Sequence, residues 1–149
     1  MTNPSLSTQR LALSPDDWLE IVISNSGVAL AAHAFTPHKG VYGNCVRRLR
    51  EMFMKPEKIS GLELGLSANT ELALSIKDTH AYAYLANSDA HSLQTLGREF
   101  TVYDLPKLDF TEWKKALEVT SGRIVATHGL EPQLGKYYRS FCPHCLHLA

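Results

Sequence analysis

The segment NSDAHS, residues 87–92, contains a carboxylate and an imidazole two positions apart. It follows the apolar and aromatic run AYAYLA, which predicts a strand. Because side chains alternate along an extended backbone, Asp89 and His91 at the end of that strand would point in the same direction. Both groups are common metal ligands. The spacing predicts one corner of a metal site, and an Asx-type turn built on Asp89 is the alternative.

The elements that must position this pair alternate between helices and strands. Residues 14–17, Ser-Pro-Asp-Asp, supply an N-cap, a first-turn proline and two first-turn acids, and predict a helix that ends at Gly27. Further helices are predicted over residues 44–53 and 70–76 and in TEWKKALEV, where Asp109 and Glu112 form a capping box. Five strands are predicted, in VALAAH, GLELG, AYAYLA, REFTVYDL and RIVATHGL. The order indicates an α/β fold.

Three of these strands end in residues that could do chemistry. His33 follows the first strand, Glu63 lies in the second, and the Asp89/His91 pair follows the third. In parallel α/β sheets the ligand site forms at the carboxyl ends of the strands, so we expect these groups to meet at one edge. A histidine after an apolar strand can equally be an ordinary core or surface residue.

Composition limits the classes of function. The 149 residues are 44% hydrophobic and 20% charged, as expected of one globular domain, and 15 basic residues balance 15 acidic ones. No overall charge favours nucleic acid or an anionic membrane, so any such contact requires a local patch. The N-terminus lacks a signal-peptide pattern and the most apolar stretch, residues 28–35, is too short to span a bilayer, which predicts a cytoplasmic protein without a membrane partner.

The last residues differ in composition from the rest. We expect a main unit over residues 1–130 and a tail over residues 131–149. Cys142 and Cys145 form a CPHC motif, but a redox-active dithiol requires a following helix, and only four residues follow. Half of a zinc-ribbon-like site that binds a structural zinc is the preferred interpretation.

The tail also contains the segment GKYYRS, in which basic and aromatic residues alternate. Such side chains can pair with phosphates and stack on bases, which predicts a DNA contact, although similar groupings occur on ordinary solvated surfaces. The candidate nucleic-acid-binding residues are Lys136, Tyr137, Tyr138 and Arg139.

Four strings, AHAFTPHKGVYG, ELGLSANTELA, LANSDAHSLQTLGREF and GLEPQLGKYYRSFCPHC, resemble the PHP-type metal-dependent phosphoesterase domain of endonuclease Q-like proteins. The resemblance runs in order over nearly the whole chain. It implies the C-terminal portion of a distorted PHP-type (β/α) barrel, with about five mainly parallel strands, flanking helices and divalent metal ions (zinc, manganese or magnesium) at the carboxyl ends of the strands.

The resemblance also implies roles for individual residues. His33, Asp89 and His91 correspond to metal ligands, and Glu63 faces the site as a catalytic candidate. His38 would orient the substrate or complete a ligand shell, and Lys39 lies in the adjacent TPHK loop, where it could contact DNA.

One feature of the family is not found in this sequence. PHP domains open with an HxH pair on their first strand, and no such pair is present before His33. We therefore expect the first barrel strands and about half of the ligands to be missing, with exposed sheet edges that favour self-association.

Two classes of function follow, and the sequence leaves open whether the chain is itself an enzyme. The first is metal-dependent DNA cleavage 5′ of deaminated bases or abasic sites in DNA repair, impaired in this chain. The second is a non-catalytic fragment or subunit that binds metal, nucleic acid or a complementary N-terminal half. A PHP-type small-molecule phosphatase is the further enzymatic alternative.

Overall fold

A computed structural model describes residues 12–135 and Tyr138, apart from the side chains of Asn44 and Cys45. The helices are α1 (Pro15–Ser24), α2 (Thr70–Leu74) and α3 (Phe110–Ala116). The strands are β1 (Leu30–Ala31), β2 (Gly61–Glu63), β3 (Ala83–Leu85), β4 (Phe100–Tyr103) and β5 (Ile124–His128). Five candidate residues of the tail lie outside the described residues: Lys136, Tyr137, Arg139, Cys142 and Cys145.

The predicted starts of all three helices are confirmed by their caps. The Ser14 side chain accepts a hydrogen bond from the Asp17 N–H at 3.1 Å. The side-chain amide oxygen of Asn69 accepts a hydrogen bond from the Leu72 N–H at 2.9 Å. The Asp109 carboxylate caps α3 in the same way, through the Glu112 N–H at 2.8 Å. Each cap satisfies a backbone donor that the first helical turn leaves without an intrahelical partner.

The predicted helix over residues 44–53 is wrong. This part of the chain contains the end of a five-residue π-helical turn, Val41–Cys45, and a single 3₁₀ turn, Leu49–Glu51. The carboxylate of Asp78 accepts a hydrogen bond from the Leu49 N–H at 3.0 Å and another from the Tyr42 hydroxyl at 2.9 Å. A tertiary acceptor thus replaces the intrahelical carbonyl that a continuous helix would have supplied.

Strands β1, β2 and β3 form a parallel sheet in that order. Leu30 pairs with Gly61, and Leu62 pairs with Tyr84. The central strand β2 is buried along its whole length. A Cβ atom at Gly61 would lie 2.6 Å from the Leu85 side chain and 3.0 Å from the Ala83 carbonyl oxygen, so glycine allows the strands to approach this closely.

Strands β4 and β5 form a separate antiparallel pair, in which Phe100 lies opposite His128. Thr101 connects this pair to the end of β3, because its hydroxyl donates to the Ala86 carbonyl at 3.0 Å and accepts from the Ala86 N–H at 2.8 Å. The amino end of β4 therefore lies beside the carboxyl end of β3. The predicted α/β fold with mainly parallel strands is confirmed, with β4 and β5 as its antiparallel part.

Over the described residues the core consists of two buried clusters. The larger one contains Leu19 of α1, Leu49 and Leu62, and the smaller one packs Ala83 and Leu85 of β3 against Leu117. Within the part of the chain that the structure describes, no helix has the length and apolar character needed to cross a membrane.

Candidate functional site

A cavity of about 350 Å³ opens at the carboxyl edge of the parallel sheet. His33 and Lys39 reach it from the segment after β1, and Gly65 from the segment after β2. Asp89 follows β3, and Leu130 follows β5. The cavity thus joins the ends of four strands, as expected for a ligand site in an α/β fold.

Glu63, at the end of β2, holds two of these segments together. Its carboxylate is buried, with 6% of the residue exposed. One oxygen accepts the His33 N–H, and the other accepts the Gly65 N–H at 3.0 Å. The sequence marked Glu63 as a catalytic candidate; in the structure both of its oxygens are engaged with the backbone that positions the cavity.

The backbone at His33 has a positive φ of 33°, which turns the chain at the end of β1. Its ring Nδ1 is buried and has no hydrogen-bond partner among the described residues. Gly65, with φ of 66°, packs against it, since a Cβ atom at this position would lie 2.9 Å from the His33 Cβ. A buried ring nitrogen normally has a partner, so this atom indicates a group that the described residues do not supply.

The NSDAHS loop differs from the predicted geometry. Strand β3 ends at Leu85, and Asp89 has φ of 44°, so Asp89 and His91 do not lie on an extended backbone. Asp89 is exposed and lines the cavity. None of the backbone N–H groups in the described segments donates to its carboxylate, which removes the Asx-turn alternative.

His91 is exposed, and its Nδ1 lies 2.7 Å from the backbone carbonyl oxygen of Asp89. A carbonyl oxygen can only accept, so Nδ1 must donate. In the neutral ring Nε2 then carries the lone pair that a metal ligand requires. A hydrogen bond from the second ring nitrogen to a backbone carbonyl is a common arrangement for metal-binding histidines.

The remaining candidates are on the surface. Lys39 is exposed at the mouth of the cavity, whereas His38 and His91 are not among the residues that line it. Tyr138 is 51% exposed, and its N–H donates to the Gly135 carbonyl at 3.2 Å. The structure therefore brings together His33, Lys39 and Asp89 around one cavity, with Glu63 directly behind it.

Glu99 is a cavity residue that sequence reasoning missed. It is 3% exposed, precedes β4 and lines the cavity together with His33 and Asp89. The rule used for the sequence looks for ligands at the carboxyl ends of parallel strands. Glu99 lies instead at the amino end of an antiparallel strand, which pairs with the carboxyl end of β5. The signal that could have identified Glu99 is its position directly before a strand that pairs antiparallel to its neighbour.

The environment of Glu99 raises the pKa of its carboxyl above the ordinary value. Burial is the main factor that raises the pKa of its carboxyl. The Leu130 N–H, which lies 3.4 Å from Oε1, and Arg98 lower this pKa, but they do not reverse the shift. The carboxylates of Glu63 and Asp89 raise the pKa further, since like charges oppose ionisation.

The donor set of the cavity fits a divalent metal ion in part. An imidazole nitrogen without a partner and nearby carboxylates are suitable ligands for zinc or manganese. Over residues 12–135, however, no three His, Cys, Asp or Glu side chains are close enough to hold a metal ion together. Water or groups from outside these residues would have to complete the coordination.

The fold and the position of the site define the class of protein. A parallel α/β sheet with imidazole and carboxylate groups at its carboxyl edge agrees with the PHP-type fold that the sequence resemblance implied, and a family model described as PHP-associated matches residues 68–116. The chain is similar to endonuclease Q, and its fold is consistent with a partial PHP fold.

Two solved structures are similar to this chain. The crystal structure of the lesion-specific endonuclease PfuEndoQ from Pyrococcus furiosus superposes with a TM-score of 0.83 at 36% identity, over 93% of this chain and 35% of that one. A complex of endonuclease Q with a 27-mer duplex substrate, which has an abasic lesion at the active site, gives a TM-score of 0.79 at 35% identity, with the same coverage of 93% and 35%.

Two curated relatives are themselves uncharacterised. YqxK of Bacillus subtilis is 39% identical over 146 residues, which are 97% of this chain and 38% of YqxK. MJ0043 of Methanocaldococcus jannaschii is 34% identical over 137 residues, which cover 85% of this chain and 17% of MJ0043. The chain thus spans well under half the length of the relatives it matches.

Proposed function

We propose that this chain carries part of the active site of a metal-dependent DNA endonuclease, which hydrolyses the phosphodiester on the 5′ side of deaminated bases or abasic sites. The observation that supports this most directly is the unpartnered, buried Nδ1 of His33 at a cavity on the carboxyl edge of the sheet. The likeness to a lesion-specific endonuclease and to its complex with abasic DNA supports the same substrate class.

In this proposal His33, Asp89 and His91 are ligands of a divalent ion (zinc, manganese or magnesium). Because no three such side chains are close enough over residues 12–135 to hold an ion by themselves, the proposal requires further donors from outside these residues. When bound, the ion supplies a Lewis acid that stabilises charge developing on a phosphoryl oxygen. Glu63 keeps the His33 backbone in place through the hydrogen bond to its N–H. The Asp89 carbonyl keeps the His91 ring in the tautomer that presents Nε2.

Contacts to DNA are proposed for the exposed cations and aromatic rings near the cavity. Lys39 is exposed at its mouth and can pair with a phosphate next to the cleaved bond. His38, in the same loop, is proposed to orient the substrate. Lys136, Tyr137, Tyr138 and Arg139 would extend the contact, and Cys142 and Cys145 would bind a structural zinc in the tail of residues 131–149.

A second candidate is a subunit that binds metal or DNA but hydrolyses it only with a complementary PHP segment. Two observations favour it. Residues 12–135 bring no three metal-binding side chains together, and the chain spans 35% of the matched endonuclease structures. Under this alternative the missing donors come from the complementary segment, and the chain alone retains binding without turnover.

The test uses the full purified chain with end-labelled duplexes that contain an abasic site, uracil, hypoxanthine or no lesion, each with added Mn²⁺, Mg²⁺ or Zn²⁺. We expect slow cleavage on the 5′ side of the lesion. His33→Gln should lower the rate at least tenfold, because it removes the buried nitrogen at the cavity. His80→Gln is the matched control, since His80 lies outside this cavity and hydrogen-bonds the Leu74 carbonyl.

Binding of the lesion duplex without cleavage would favour the second candidate. Cleavage that His33→Gln leaves unchanged would place the chemistry elsewhere, and a chain that neither binds nor cleaves DNA would contradict both candidates.

A further inference from the structure

Glu99 is a buried acid to which the proposed function assigns no role. Its side chain is 1% exposed, and it faces the same cavity as His33 and Asp89. Taking an ionised carboxylate out of water is costly unless close partners compensate its charge. The partners of Glu99 therefore decide whether it is a structural residue or part of a binding site.

Those partners are few and distant. The Leu130 N–H lies 3.4 Å from Oε1, and the Arg98 Nε lies 3.9 Å from the same oxygen. Neither contact has the length of a strong charge-assisted hydrogen bond, for which 2.7–2.9 Å is typical. Both contacts involve Oε1.

A second and independent observation lies in the same cavity. The buried Nδ1 of His33 has no partner among the described residues. A buried carboxyl with only long contacts and an imidazole nitrogen thus line the same space of about 350 Å³. A divalent cation can accept a lone pair from a carboxylate oxygen and from an imidazole nitrogen at the same time, so it can bind both groups.

Acidic side chains outnumber the lysine, Lys39, among the residues that line the cavity, which favours a cation. Asp89 lines the cavity, and the Glu63 carboxylate lies behind it. The negative charges of Asp89 and Glu63 repel the ionised carboxylate of Glu99. A divalent ion would relieve this repulsion, whereas an anionic group at the same place would increase it.

We propose that Glu99 is a direct ligand of a divalent cation in this cavity, which it shares with His33. The inference rests on the proposed metal dependence and deepens it, because it adds a donor from the amino end of β4 to those at the ends of the parallel strands. Glu99 and His33 supply two donors, and water or groups outside the described residues complete the coordination.

The experiment measures Mn²⁺ binding to the full chain by electron paramagnetic resonance and Zn²⁺ binding by calorimetry, so that its readout does not depend on cleavage. Glu99→Gln and His33→Gln should each raise the Kd at least tenfold. Glu131→Gln is the matched control: Glu131 lines the same cavity but is exposed, and its replacement should change the Kd less than twofold. If both residues bind one ion, the double variant should lose less affinity than the two single effects combined.

Unfolding of each variant without metal separates binding from folding. Glu99→Gln should be at least as stable as the parent chain, because it removes a buried charge that has no close partner. If Glu99→Gln is less stable and Glu99→Asp restores stability but not metal affinity, Glu99 is structural and the inference is overturned. Loss of affinity in His33→Gln but not in Glu99→Gln overturns the inference and leaves the proposed function standing. A parent chain that binds neither ion overturns both.

Discussion

At the scale of single residues, the site depends on side chains that hold backbone groups in place. Glu63 is the main example, because its two oxygens accept the N–H groups of His33 and Gly65, which belong to different segments. We expect Glu63→Gln to lower the free energy of unfolding by about 1–3 kcal/mol, since an amide has one acceptor oxygen and leaves one of these buried N–H groups without a partner.

Urea unfolding of the metal-free chain measures this effect. Glu118→Gln, at an exposed position, is the control and should change the free energy of unfolding by less than about 0.5 kcal/mol. Equal stability of the two variants would show that the carboxylate of Glu63 does not hold the cavity together.

At the scale of elements, local signals were sufficient to predict the helix starts, and α3 allows a test. Hydrogen bonding from the Glu112 N–H is the main factor that lowers the pKa of the Asp109 carboxyl, and Lys107 adds to it. A lowered pKa in the folded state means that the ionised cap contributes stability above the unfolded pKa, and this contribution is lost as the pH falls through the folded value.

Asp109→Asn keeps an N-cap acceptor but removes the charge. We expect the variant to melt below the parent chain at pH 7 and the difference to shrink as the pH is lowered towards 2, as followed by circular dichroism. A difference in melting temperature that stays constant over this range would contradict the assignment.

The same scale shows which parts of the fold could be predicted from sequence. Helix caps and apolar runs are local, so α1, α2, α3 and the five strands were found. The helix expected over residues 44–53 was wrong because the acceptor for the Leu49 N–H is Asp78, 29 positions further along the chain. Glu99 was missed for a related reason. Its place at the cavity depends on the antiparallel pairing of β4 with β5, whereas the rule applied to the sequence considered only the carboxyl ends of parallel strands.

The geometry of the NSDAHS loop also could not be predicted from a local sequence pattern. Alternation along a strand predicted that Asp89 and His91 share a direction, but β3 ends four residues before Asp89. The loop then turns through a positive φ at Asp89, where the His91 ring binds its carbonyl. The residue types predicted the chemistry, and the backbone path determined which atoms are presented.

At the scale of the whole molecule, one wall of the cavity exposes apolar side chains. Leu66 is 38% exposed, Leu130 47% and Leu134 84%. A grouping of this kind on a protein surface favours association with a partner. In the purified chain the available partner is a second copy, so we expect a weight-average mass that rises with protein concentration in sedimentation velocity.

A charged substitution in this wall tests the prediction. Leu134→Glu should raise, at least tenfold, the protein concentration at which the weight-average mass begins to increase. The reason is that self-association would bury the introduced carboxylate next to apolar groups. Leu108→Glu is the matched control, since Leu108 is 94% exposed in the segment between β4 and α3 and does not line the cavity. A monomeric parent chain at every concentration would contradict self-association, and equal shifts for both variants would place the contact outside the cavity wall.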